Sequence, residues 1–319
     1  MKAVTVDRYG SPDVLRISDV PVPEPRENEV LVRVTASTVN RTDTATIRAH
    51  PFFARAMTGW LRPNFTTTGL EFAGVIEAIG DGVTGFQIGD AVFGMEPDAF
   101  GGHAEYVCCS ASGAVALVPA GMSPDQALVG EGAWYASSTV DALKPGGAIL
   151  IYGASGAIGT AAVQLAKVAG SEVTAVVGTR HVSLAEGLGA DVVINYETQD
   201  FTAIERQFDL VFDAVGKTSF FECRKLLKPD GIYSATDLGP WWSNIWLGLW
   251  FGITGSRRVR VPYPDDAPGF MRRLSVLMEK GQYRGVFDRR FPMADVAAAF
   301  RYVELGQKTG IVVLEIGQR

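Results

Sequence analysis

The residues Gly153-Ala154-Ser155-Gly156-Ala157-Ile158-Gly159 constrain the fold of this chain more than any other stretch. Ahead of them, Ala148-Ile149-Leu150-Ile151-Tyr152 is a short, mostly large apolar run, the composition of a strand buried on both faces. Behind them, residues 160–167 predict a helix. A glycine loop at such a junction has a physical use: one glycine turns sharply, one lets the backbone approach a pyrophosphate, and one lets the helix pack close. The helix N-terminus adds free N–H groups and a positive dipole end. The spacing is G-x-x-G-x-x-G, not G-x-G-x-x-G, so the strand–loop–helix context carries the argument.

Further apolar strands are expected at 173–177, 192–194, 210–212 and 231–234, alternating with helices. That alternation means β-α-β units and a parallel sheet, an α/β fold of the doubly wound kind. The first 120 residues read differently, as short strands punctuated by glycine turns at Gly80, Gly82, Gly85, Gly89 and Gly94, the pattern of a small barrel. The tail is expected to hold helices near 270–280 and 294–305 and a last strand at 311–316.

At 319 residues the chain has room for about two domains. A net charge of −6 argues against a nucleic-acid protein working through a broad basic surface. Three cysteines, Cys108, Cys109 and Cys223, build neither a disulfide framework nor a four-thiolate zinc site. Asp7 and Arg8 interrupt the first apolar stretch, so no signal peptide is expected and the cytoplasm is the default location. Residues 238–256 carry no charge and four tryptophans (Trp241, Trp242, Trp246, Trp250), with Arg257, Arg258 and Arg260 behind them. Pro240 and several glycines interrupt that run. It reads first as a pocket-lining or subunit-packing segment, next as an interfacial contact, and last as a membrane span.

Cofactor choice is read at the end of the second strand, where an NAD enzyme places an acid for the ribose hydroxyls. The sequence there is Val177-Gly178-Thr179-Arg180-His181, without an acid. Arg180 offers a charged fork and Thr179 a hydroxyl to a 2′-phosphate, which points to NADPH. A solvated arginine opening a surface helix is the plainer alternative.

With these motifs together the chain resembles the medium-chain dehydrogenase/reductase superfamily, in its zeta-crystallin-like quinone oxidoreductase branch. The resemblance rests on the 153–159 loop preceded by Leu143-Lys144-Pro145-Gly146-Gly147, and on Gly69-Leu70-Glu71-Phe72-Ala73-Gly74-Val75-Ile76. It also rests on Leu188-Gly189-Ala190-Asp191 with Asn195-Tyr196, and on Gly310-Ile311-Val312-Val313-Leu314. It implies a Rossmann NADPH-binding domain at 123–261 and a GroES-like β-barrel catalytic domain built from both chain ends, 1–122 and 262–319. Cofactor contacts are implied at Ser155, Gly156, Ala157, Ile158, Gly178, Thr179, Arg180, Tyr196, Val215 and Gly216, and a homodimer is expected.

Zinc members of the superfamily carry Gly-His-Glu where this chain has Gly69-Leu70-Glu71, and a cysteine where it has Asn40. Leucine cannot ligate and asparagine is not a usual zinc ligand, so no metal is expected. Without a Lewis acid an unactivated alcohol is a poor substrate, whereas a quinone or an α,β-unsaturated carbonyl accepts hydride readily. The resemblance places Asn40 beside the nicotinamide, where its amide would polarise a carbonyl, with Thr42 and Asp43 in the same segment; a turn residue closing the strand is the plainer reading of Asn40.

The chain also departs from the family. Gly130-Glu131-Gly132-Ala133 stands where relatives read Gly-Leu-Thr-Ala, and Ile311 stands where many have lysine. Glu131 reads either as a helix-start glutamate turned to solvent, the expected case, or as a buried proton donor. Trp241 and Trp242 are assigned to the substrate pocket. Two other readings stay open: a non-catalytic NADPH-binding sensor or partner-binding protein, and an enoyl-thioester reductase, for which the 257–260 arginines are the one obvious cationic cluster.

Overall fold

The computed structural model describes residues 1–52, 55–96, 99–253, 258–262 and 265–317. The chain forms two compact units, one of Met1–Glu131 with Asp266–Arg319, the other of Gly132–Asp265.

In the first unit, β1 (Lys2–Thr5) and β2 (Arg16–Asp19) pair antiparallel. The long β3 (Glu29–Val39) is rich in β-branched residues and follows. Next come α1 (Arg41–Arg48), α2 (Arg55–Thr58), β4 (Glu71–Ile79), β5 (Ala91–Met95), β6 (Tyr106–Ser110) and β7 (Val115–Leu117). α3 (Gly130–Val140) leads into the second unit.

That unit holds β8 (Ala148–Tyr152), α4 (Ala157–Val168), β9 (Glu172–Val177), α5 (Val182–Gly187), β10 (Val192–Asn195), β11 (Phe208–Asp213), α6 (Phe220–Cys223), β12 (Leu227–Ala235), α7 (Ser243–Ile253) and β13 (Val259–Arg260). The chain then returns to the first unit with α8 (Ala267–Glu279), β14 (Phe287–Pro292), α9 (Val296–Glu304) and β15 (Ile311–Glu315).

The second unit's sheet runs β10-β9-β8-β11-β12-β13 with every pair parallel. Numbered from β8, that is the order 3-2-1-4-5-6 of a dinucleotide-binding sheet, with its switch point between β8 and β11. The five strands expected from sequence are present; β13, only two residues long, is the addition. Tyr233, Phe208 and Leu150 anchor the core on one face, joined by Leu247 and Phe251 of α7.

The first unit's sheet runs β14-β15-β3-β4-β5-β7, with β6 on β3. β15 from the far end of the chain pairs antiparallel with β3, Val312 opposite Val39, so both chain ends do build one barrel-like unit. α9 packs Val296, Ala299, Phe300 and Val303 into the same core as Ile47 of α1. β14 was not expected; its alternation is broken by Arg289 and Arg290, which stay exposed. Ser243–Ile253 of the tryptophan-rich run forms α7, held to its unit by Leu247, Phe251 and buried Asn244. Trp246, Leu249, Trp250 and Ile253 occupy the opposite, exposed side. Among the described residues no helix is long and apolar enough to cross a membrane. Arg257 lies outside the described residues.

Candidate functional site

The loop between β8 and α4 is built as its glycines suggest. Gly153 has φ +77°, and Gly159 has no room for a side chain, because a Cβ there would lie 2.2 Å from the Gly153 carbonyl oxygen. Gly156 is different: a Cβ would meet nothing nearer than 3.8 Å, so its outer side is open. Thr160 N–H donates to the Gly156 carbonyl at 2.8 Å, which opens α4 and leaves the N–H groups of Ala157, Ile158 and Gly159 without intrahelical acceptors. Half-buried Ser155, Ala157 and Ile158 edge this cradle, whose geometry fits a pyrophosphate. At the switch-point neighbour, buried Asp213 accepts the N–H groups of Val215 (3.1 Å), Gly216 (2.8 Å) and Thr218 (2.9 Å), which fixes the turn after β11.

The ends of β9 and β10 bring Gly178, Thr179, exposed Arg180 and exposed Tyr196 together. One residue there was missed. Glu197 accepts the Thr179 hydroxyl at 2.6 Å, so an acid does stand at the end of β9, delivered by the neighbouring strand. Its distance from residue 179 in sequence hid it.

The first unit holds a buried polar cluster. Asn40, Asp43, Glu71 and Glu131 are each under 7% exposed. Glu71 is the hub: Oε2 accepts the Thr38 hydroxyl (2.8 Å) and the Asn40 amide (3.1 Å), and Oε1 accepts the Glu131 backbone N–H (3.0 Å). Asn40 starts α1, its backbone N–H donating to Asp43 Oδ2 at 2.8 Å, and its amide also donates to Thr38 Oγ1 at 2.9 Å. Both the turn role and the inward-facing amide are therefore present in one residue.

Glu131 corrects the expectation of a solvent-facing glutamate. It is 3% exposed, since the first turn of α3 packs against Glu71 and Met271 rather than presenting an end to water. Its Oε2 and Asp43 Oδ1 are buried without a hydrogen-bond partner. Burial pushes the Asp43 carboxyl up to about 7 and the Glu131 carboxyl well above the usual range, with repulsion between the carboxyls adding to it. A side-chain hydrogen bond from Thr42 opposes the rise at Glu131. Lys308, absent from the sequence-based site, is the cation of the cluster; burial lowers it to about 8 against the pull of Glu131, Asp288 and Glu71. Nothing in the loop before β15 announces a half-buried lysine with a lowered pKa.

His103 is structural. Nε2–H donates to the Thr38 carbonyl (2.7 Å), leaving Nδ1 to accept the Thr68 hydroxyl (2.8 Å), and burial lowers its pKa to about 4. Among the described residues no group of three or more His, Cys, Asp or Glu side chains is arranged to hold a metal ion. The thiols are free, and burial raises Cys108 to about 11 and Cys223 to about 12. Trp241 is 96% exposed and Trp242 47%, so neither belongs to the core of its own unit.

Comparison with known proteins agrees with this architecture. Residues 26–120 match the alcohol dehydrogenase GroES-like domain, and residues 188–314 match a domain described as zinc-binding dehydrogenase. The chain is 31% identical to the 2-methylene-furan-3-one reductase of Solanum lycopersicum, over 98% of this chain and 79% of that protein. It is 30% identical to the chloroplastic NADPH-dependent alkenal/one oxidoreductase of Arabidopsis thaliana, with the same coverage. The solved quinone oxidoreductase of Coxiella burnetii superposes with a TM-score of 0.82 at 28% identity, over 99% of both chains. The chain belongs to the medium-chain dehydrogenase/reductase superfamily, in its quinone oxidoreductase branch.

Proposed function

We propose that this protein is an NADPH-dependent, zinc-independent reductase of quinones or α,β-unsaturated carbonyls. The observation that carries the reading is the buried acid Glu131, held above the usual carboxylate range in a cluster where Glu71 accepts both the Asn40 amide and the Glu131 N–H, and where the sequence has Leu70 and Asn40 in place of zinc ligands. NADPH, when bound, supplies the hydride. Reduction then leaves an oxyanion or enolate that needs a proton, and a metal-free site must provide it from a side chain or water. Burial, with the Asp43 and Glu71 charges adding to it, favours the protonated form of Glu131. Asn40 would orient the acceptor's oxygen by exchanging one of its two amide contacts, and Asp43 keeps Asn40 in place through its backbone N–H.

The cofactor would be held by Ser155, Gly156, Ala157 and Ile158 at its pyrophosphate, by Gly178, Thr179, Arg180 and Tyr196 at its adenosine end, and by Val215 and Gly216 beyond. Thr42, Trp241 and Trp242 are assigned to the acceptor. In this reading the unit of residues 1–131 and 266–319 forms the catalytic part and that of residues 132–265 the cofactor part, a few residues from the boundaries at 122/123 and 261/262 expected from sequence. The exposed Trp246–Leu249–Trp250–Ile253 side of α7 supports a homodimer packing surface, and we place the protein in the cytoplasm.

The test is NADPH oxidation by the purified chain with 1,4-benzoquinone, 9,10-phenanthrenequinone and an acyclic enal, with and without a metal chelator. Turnover with a quinone or the enal, unaffected by chelator, is expected. Tight NADPH binding without turnover on any acceptor would overturn the reading in favour of a sensor. Arg180→Ala is expected to weaken NADPH binding about tenfold and leave NADH unchanged, as removal of one charge-assisted contact predicts.

A further inference from the structure

At the carboxyl ends of β9 and β10 two opposite chemistries stand together. Arg180 follows β9, and Glu197 lies just past β10; both are exposed. Glu197 is tied to the β9 end on two sides. Its Oε2 accepts the Thr179 hydroxyl at 2.6 Å, and its Oε1 hangs over Gly178, where a Cβ would lie 2.6 Å from that oxygen. The Glu197 backbone N–H donates to Asn195 Oδ1 (3.0 Å), and Asn195 Nδ2 donates to Thr179 Oγ1 (2.9 Å), so Glu197, Thr179 and Asn195 close a ring. The Tyr196 hydroxyl would lie 3.0 Å from the same Gly178 Cβ.

In a dinucleotide-binding sheet the end of the second strand meets the adenosine ribose. An acid there accepts the 2′-hydroxyl of NAD, while a 2′-phosphate calls for a cation. This chain supplies the cation from β9 and the acid from β10.

We propose that Glu197 sets the cofactor selectivity: it accepts the ribose hydroxyls of NADH and opposes the 2′-phosphate that Arg180 attracts. The protein therefore takes both nucleotides and favours NADPH less than Arg180 alone would dictate. Thr179, held by Glu197, becomes free to donate to a phosphate only when the carboxylate is displaced or neutralised. The inference rests on the reductase reading above and deepens it at the cofactor end.

The experiment is a titration of the full chain with NADPH and with NADH, by nicotinamide fluorescence and by calorimetry, for the native protein, Glu197→Gln and Glu197→Lys. Removing a like charge from an exposed phosphate site is worth about fivefold in affinity at low salt, and the gain shrinks as salt is added. Glu197→Gln is expected to tighten NADPH by about that factor and to weaken NADH, with Glu197→Lys moving the NADPH-to-NADH ratio further the same way. A ratio unmoved in both variants, with NADPH still bound by the native chain, would overturn this inference and leave the reductase reading standing. A native chain that binds neither nucleotide would overturn the reductase reading and this inference with it.

Discussion

Charge within the buried cluster is divided by hydrogen bonding. Burial raises the Glu71 carboxyl, and the Thr38 hydroxyl, the Asn40 amide and the Glu131 N–H that it accepts oppose that rise by favouring the ionised form. Glu131 has a buried oxygen without a hydrogen-bond partner, as Asp43 does, and burial with the neighbouring carboxyls raises its pKa well above the usual range. Lys308 pulls the other way, since its positive charge favours the Glu131 carboxylate. Lys308→Met is therefore expected to move the alkaline limb of the pH–rate profile to higher pH, which a profile of kcat would show. Asp43 has a consequence for stability. Its folded carboxyl is raised to about 7 from 3.8, so the native state binds the extra proton and stability falls as pH rises through that window. Asp43→Asn, which keeps an acceptor for the Asn40 N–H, should flatten that fall in denaturant titrations at a series of pH values. An unchanged pH dependence would contradict the assignment.

At the scale of elements, the β8–loop–α4 unit separates folding from binding. A side chain at Gly156 meets open space, and its φ of −79° suits any residue. Gly156→Val is expected to leave the melting temperature near native while cutting NADPH affinity at least about tenfold, because the backbone could no longer approach the pyrophosphate. Gly159→Ala should do the reverse and destabilise the fold, its Cβ being driven to 2.2 Å from the Gly153 carbonyl. Melting and binding curves of the two variants separate these outcomes. This unit was legible in the sequence because strand, turn and helix are local and each carries its own pattern. The ends of β9 and β10 were only half legible: Gly178, Thr179 and Arg180 are consecutive, but Glu197 reaches them through strand pairing that no local pattern encodes. The same holds for Glu131, whose helix-start position suggests water, whereas Glu71 and Met271 pack against that turn.

Across the whole molecule, the division of labour follows from chain order. A parallel sheet of order 3-2-1-4-5-6 sits in the middle of the chain, and the two ends meet in one sheet through β15 and β3. Membership of the superfamily was legible because its motifs are short and their order is specific. The role of Lys308 was not, because it sits in a loop brought to Glu131 only by closure of the two chain ends into one unit. That closure also explains why a core residue of the C-terminal helix matters to the N-terminal half. Phe300→Ala empties space shared with Ile47 and should cost about 3–5 kcal/mol in urea unfolding. The central claim is that a metal-free site reduces its acceptor with a proton from Glu131. The most direct test is kcat against pH for the native protein and Glu131→Gln, with a quinone and an enal, alongside NADPH affinity. The native rate should fall as pH rises through the raised carboxyl value. The variant should lose about 10²–10³-fold in kcat together with that alkaline limb, at unchanged NADPH affinity. A variant with native kcat and the native profile would contradict the account.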